Sequence, residues 1–400
     1  MKIIDIRVRE VSVPRIYETY CADPDQLQPD TDHAQSRYQI LEFMTDSDCV
    51  GLGEISDIAN RMNPLSGSDL RTFLSQELVG KDLGNWRQAY ESVARSLPDN
   101  YHPELRGLTL FGVEIALLDL VGKHHGAPIY QLLGGKCRDH VPVCWVIYLR
   151  GDVSEDEELR ALTEEVRDKL AEGIRAFKMK VGDDHQRDLR RIARFREVAG
   201  LETYLRVDAS GAWTEEEAIE KLGEMATAGV NACETPVDAV SRPVVNDNPE
   251  QINRNPDLPA ASLARVRSQS TIQIIEHAAD LDDSFTAALV RHQAVDVINI
   301  IPSQGCGIMR AQKLVHAAET GGIPVLLGST VEMGPGTAAF IHLALASQNI
   351  SVPSDLVGPG LLVDDVCNPR FKYRSGGLCA FGGPGLGVEL DERKIEKWSV

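Results

Sequence analysis

From residue 141 onward, short apolar, β-branched runs alternate with longer charged, amphipathic ones, and this alternation restricts the fold of the 400-residue chain more than any other feature. The runs are VPVCWVIYLR; AFKMKV, then HQRDLRRIARFREVAG; TYLRVDA, then TEEEAIEKLGEMATAG; ACET; STIQIIE; VDVINII, then MRAQKLVHAAETGG; and IPVLLGS. A short apolar strand followed by an amphipathic helix is a βα unit, and repeated units build a parallel sheet. The strand ends are evenly spaced. Lys180 to Asp208 is 28 positions, Asp208 to Glu234 is 26, Glu276 to Ile301 is 25 and Ile301 to Thr330 is 29. The 42 positions from Glu234 to Glu276 include a Pro- and Asn-rich insertion, DAVSRPVVNDNPEQINRNPDLP. About seven strands with a weak eighth predict an α/β chain, a modified (β/α) barrel of TIM type. A doubly wound open sheet is the other option, but no GxGxxG-type loop supports it.

The region before residue 126 reads differently. KIIDIRVREVSVP and RYQILEFMTDSDCVGLGEI are strand-like and flank a polar segment, Ile16 to Ser36, while helical stretches follow at Asp69 to Leu78 and Leu108 to Gly122. This part reads as a small α+β domain ahead of the barrel. A net charge of −19 argues against nucleic acid or an anionic membrane surface as partner. The eight cysteines are scattered without CxxC or zinc spacing, and no run is long enough to span a membrane, so a reducing cytoplasm is expected.

Barrels gather their chemistry at the C-terminal ends of the strands. Here AFKMKV brings Lys178 and Lys180, YLRVD brings Asp208, NACE brings Glu234 and IQIIE brings Glu276. Side chains two apart on a strand share a face, so both lysines should point to the barrel mouth while Met179 packs outward. Three carboxylates converging there repel one another unless a cation lies between them, and oxygen ligands alone favour Mg²⁺ or Mn²⁺. Crowded lysines should have depressed pKa values, which leaves one available as a neutral base.

With these residues in place, the chain resembles the enolase superfamily, in its muconate-lactonizing-enzyme-like group. The resemblance is carried by GVEIALLDLVGKHHGAPIYQLLGG, FKMKVG, RVDASGAW, CETP, IIEH, DVINIIPSQGCGI and GSTVEMGPGTAAFIHLALAS, running on to GGPGLGVELD. It implies an α+β capping domain over 1–125 with a lid loop at 16–36, a modified barrel over 126–350 and a C-terminal segment, 351–400, that returns to the cap, with Asp208, Glu234 and Glu276 as ligands of Mg²⁺ or Mn²⁺. It also implies Lys180 as catalytic base, Lys178 as the lysine that tunes it and contacts the substrate carboxylate, and Glu332 as a carboxylate near the site. The implied chemistry is removal of the proton α to a carboxylate through a metal-stabilised enediolate.

The departures concern reaction type. Relatives with a second lysine carry it at the sixth strand end, where this chain has Ile301, and the racemase-type histidine position falls at Thr330, beside Ser329. A single lysine on one face suits β-elimination of water or cycloisomerisation, on a sugar acid or similar small carboxylate. Racemisation needs groups on both faces. It stays open because Thr330, Glu332 or a loop residue could supply the second. A catalytically silent barrel used for binding is the alternative of another class. His277 follows the third ligand and should point away from the metal, and Ser210 stands where relatives commonly have asparagine. Barrels of this kind are commonly oligomeric, so a homo-oligomer is expected.

Overall fold

The computed structural model describes residues 1–22, 32–151, 153–237, 255–278 and 283–400. Asp23, Asp25 and Asp30 of the expected lid, and residues 238–254 of the insertion, lie outside them.

The chain opens with an antiparallel sheet of β1 (Ile3–Pro14), β2 (Gln35–Thr45) and β3 (Val50–Ile55). Helices α1 (Gly67–Leu78), α2 (Trp86–Ser96) and α3 (Pro103–His125) follow. Proline at the first turn of α3 and left-handed Gly126 after its last suit a helix start and stop. Gly51 and Gly53 let α3 lie directly on β3: a Cβ at Gly53 would stand 2.1 Å from the Gly112 carbonyl oxygen.

Seven parallel strands come next, paired in chain order: β4 (Cys144–Ile147), β5 (Ala176–Lys180), β6 (Tyr204–Asp208), β7 (Ala232–Glu234), β8 (Gln273–His277), β9 (Val297–Ile300) and β10 (Val325–Leu327). Helices α4 (Glu155–Ala171), α5 (His185–Ala199), α6 (Glu215–Thr227), α7 (Asp257–Gln269), α8 (Asp283–His292), α9 (Ile308–Thr320) and α10 (Gly334–Ala346) alternate with them. Capping boxes start α4 (Ser154, Glu157) and α6 (Thr214, Glu217), which is why those charged runs begin as helices where they do. The weak eighth strand is an irregular stretch around Pro353. Ile350 bridges Val325, and Ser354 bridges Val143, so the segment closes the barrel between β10 and β4.

The end of the chain returns to the first strand. Helix α11 (Glu392–Trp398) packs on β1, and the Val400 amide donates to the Glu10 carbonyl at 3.2 Å. Among the described residues no helix is long and apolar enough to cross a membrane.

Candidate active site

Register brings the sequence motifs together. Lys180 pairs with Asp208 and Asp208 with Glu234, while Glu276 lies one residue beyond the partner of Glu234. All three acids are buried, at 4, 4 and 5% exposure. Met179 is fully buried in the apolar layer, and both lysines line the cavity, as alternation requires.

One oxygen of each acid is held by a neighbour. Asp208 Oδ1 accepts from the Ser210 amide at 2.9 Å and its hydroxyl at 3.3 Å. Glu234 Oε1 accepts from Asn299 Nδ2 at 2.8 Å, and Glu276 Oε1 from Thr235 Oγ1 at 3.3 Å. Ser210 and Thr235 have φ of 50° and 43°, so the strands that bear Asp208 and Glu234 leave through left-handed residues. The other oxygens of Asp208 and Glu234 meet on Lys178, whose Nζ stands 2.8 Å from Asp208 Oδ2 and from Glu234 Oε2. Lys180 Nζ donates to Asp208 Oδ2 at 2.7 Å.

The three acids do not close on one point as expected. Glu276 lies against Thr235 rather than beside Lys178, and among the described residues no three acid, His or Cys side chains are gathered into a metal cage. In chemistry the donor set still fits a hard divalent cation: three buried carboxylates stand on adjacent strand ends, with one oxygen of each already oriented.

The lysine expectation also needs correcting. Burial alone would depress both lysines. For Lys178, Asp208, Asp355 and Glu234 outweigh burial and hold it well above the ordinary value. Lys180 is raised too, chiefly by Asp208 against burial and the repulsion of Lys178. Burial likewise opposes ionisation of Asp208, but the two ammonium groups hold it well below the carboxylate range.

Two residues of this network were not anticipated. Asp355, in the irregular eighth-strand segment, receives Lys178 at 3.2 Å and pairs with Arg206. Arg206 is fully buried, and its guanidinium also lies 3.9 Å from Glu234. The same-face rule could have found Arg206, two residues before Asp208. Nothing in SVPSDL marks Asp355.

Above the network lies a cavity of about 320 Å³ between cap and barrel. The cap contributes Arg15, Tyr20, Arg37 and Arg61, and the barrel contributes Tyr148, Ile301, Ser329 and Thr330. Arg15 is fixed on Asp57 at 2.8 and 2.9 Å. His277 is among the residues that line the cavity. Glu332 is 2% exposed and lies behind Thr330, outside the cavity lining. Ile301, 8% exposed, stands in the wall as expected.

A capped barrel with paired lysines and three acids at successive strand ends defines an enzyme of one recognisable class. The model described as "Enolase C-terminal domain-like" matches residues 161–247 and 250–394, and "Mandelate racemase / muconate lactonizing enzyme, N-terminal domain" matches 10–134. The chain belongs to the enolase superfamily, as a muconate-lactonizing-enzyme-like member. It is 28% identical to Muconate cycloisomerase 1-1 of Acinetobacter lwoffii, covering 97% of both chains. It is 26% identical to the N-succinyl-L-Arg/Lys racemase of Bacillus cereus, covering 90% of each. The solved structure of 2-chloromuconate cycloisomerase from Rhodococcus opacus 1CP superposes with a TM-score of 0.81 at 25% identity over the whole of both chains.

Proposed function

We propose that this enzyme moves a proton at the carbon α to a substrate carboxylate from one face only, with Lys180 as the acid/base group. The observation that carries this reading is the makeup of the cavity wall away from β5. Ile301 cannot exchange a proton, and the Thr330 hydroxyl donates to buried Glu332 at 2.7 Å. A syn ring closure or elimination needs no second group. The cycloisomerase relatives favour ring closure between the two, whereas the sugar-acid expectation draws no support from them.

Asp208, Glu234 and Glu276 would hold Mg²⁺ or Mn²⁺, with Glu276 turned from Thr235. When bound, such an ion supplies positive charge that stabilises the negative charge developing on the substrate carboxylate. Lys178, fixed by acids on three sides, keeps a cation beside the carboxylate-binding end. The cap roofs the cavity and excludes water from the transfer.

The test is proton NMR in D₂O with Mg²⁺, using cis,cis-muconate, N-succinyl amino acids and 2-hydroxy acids. Cyclised or dehydrated product, or exchange without loss of configuration, supports one-face transfer. Racemised product overturns it in favour of the racemase reading. Lys180→Ala should lower exchange at least 10³-fold while the variant stays folded, and wild-type exchange in it would remove Lys180 from its role.

A further inference from the structure

Strands β4 and β5 part at the mouth of the barrel. Their last register pair is Ile147 with Met179, and the next residues, Tyr148 and Lys180, both line the cavity. A buried arginine of α5 joins the two strands beyond that pair. Arg191 Nη1 donates to the Lys180 carbonyl at 2.6 Å, and Nη2 donates to the Tyr148 carbonyl at 3.1 Å. A planar guanidinium is rigid, so it sets both carbonyls at one fixed separation.

Buried acids hold the fork in turn. Its Nε stands 3.2 Å from Glu158 Oε1 on α4, and Nη1 lies 3.5 Å from Asp188 Oδ1 on α5. Asp188 Oδ2 accepts the Gly182 amide at 2.9 Å, so the cluster also fixes the turn two residues beyond Lys180. Packing does not account for this arrangement. Ile192 and Phe195 supply the apolar contact of α5 with the barrel, whereas burying a guanidinium and two carboxylates costs free energy. None of Arg191, Glu158 and Asp188 lines the cavity.

We propose that Arg191 is a positioning residue for the acid/base lysine. It acts through the backbone of Lys180, holding the strand end from which Nζ reaches Asp208 Oδ2 at 2.7 Å. This inference rests on the role proposed for Lys180 and deepens it.

Arg187 supplies the control. It lies on the same helix and its Nε donates to the same Glu158 at 2.7 Å, but its Nη2 reaches the Arg150 carbonyl instead. The double variants Arg191→Met/Glu158→Gln and Arg187→Met/Glu158→Gln each remove one pair of opposite charges, which limits the cost to folding. In crystals of the Mg²⁺-loaded proteins, Lys180 Nζ should be displaced by about 1 Å or more from its wild-type place only in the Arg191 variant. The solution probe is cis,cis-muconate, an N-succinyl amino acid or a 2-hydroxy acid, whichever the wild type exchanges in D₂O. On it the Arg191 variant should lose about 10- to 100-fold in kcat with KM within about twofold, and the Arg187 variant should keep both. Should the Arg191 double variant not fold, Arg191→Lys, which keeps the cation and drops the fork, is read by the same two measurements. Equal kcat losses in the two double variants, or a Lys180 that stays in place without Arg191, overturn the proposal. Wild-type exchange in Lys180→Ala would overturn the catalytic reading instead, and the crystallographic displacement would still decide whether Arg191 places Lys180.

Discussion

The ammonium of Lys178 touches Asp208, Glu234 and Asp355, and Asp355 passes the contact on to Arg206. Lys178, Lys180 and Arg206 thus balance Asp208, Glu234 and Asp355 inside the barrel, where an unmatched charge is costly. Removing one member exposes the rest. Asp355→Asn should cost about 3–5 kcal/mol, because it strands a fully buried arginine and unbalances Lys178. Urea denaturation measures this, and a loss below about 1 kcal/mol would mean that Asp355 is not needed to compensate Arg206. At this scale Lys178, Lys180 and the three acids were legible because each ends a strand-like run. Asp355 was not, since its segment has neither strand periodicity nor a preceding apolar run.

At the scale of elements, the cap completes two helix starts of the barrel. Neither α9 nor α10 has a side-chain N-cap of its own. Glu114, from α3, accepts the Ile308 and Met309 amides at 2.5 and 3.2 Å, and Glu54, from β3, accepts those of Met333 and Gly336 at 2.8 Å each. Burial pushes these acids up to about 7 and about 8. Helix α10 is also tied to the C-terminal segment by His342, fully buried, whose Nε2 donates to the Leu386 carbonyl at 3.2 Å. Burial lowers His342 from 6.5 to about 4. The unfolded chain therefore binds a proton between these values that the folded one does not. The contribution is complete above pH 6.5 and is lost as pH falls toward 4. Relative to His342→Gln, the wild type should lose about 2 kcal/mol of unfolding free energy between pH 6.5 and 5. The comparison isolates His342 from Glu54 and Glu114, whose raised values act in the opposite direction. Parallel curves for the two proteins would show that His342 does not stay neutral when folded.

For the whole molecule, the cavity lies where cap and barrel meet, and Asp208 and Glu234 are in its lining. A cation bound there by the folded state alone stabilises by mass action. Mg²⁺ at a hundred times its dissociation constant should add about 2.7 kcal/mol, and EDTA should remove it. Asp208→Asn should abolish the increment; the same increment in that variant would place the metal elsewhere.

The order of βα units, the strand ends and the chemical kind of the site follow from the sequence by itself, because period, spacing and residue type are local properties. The direction of the lysine shifts, the position of Glu276, the burial of Glu332 behind Thr330 and the entry of Asp355 were decided only in the tertiary structure. Each depends on which charges and donors lie across the barrel, from strands far apart in the chain. Local spacing says that Lys178 faces inward. Only the closed barrel, with Asp355 brought in from 177 positions away, says what it meets there.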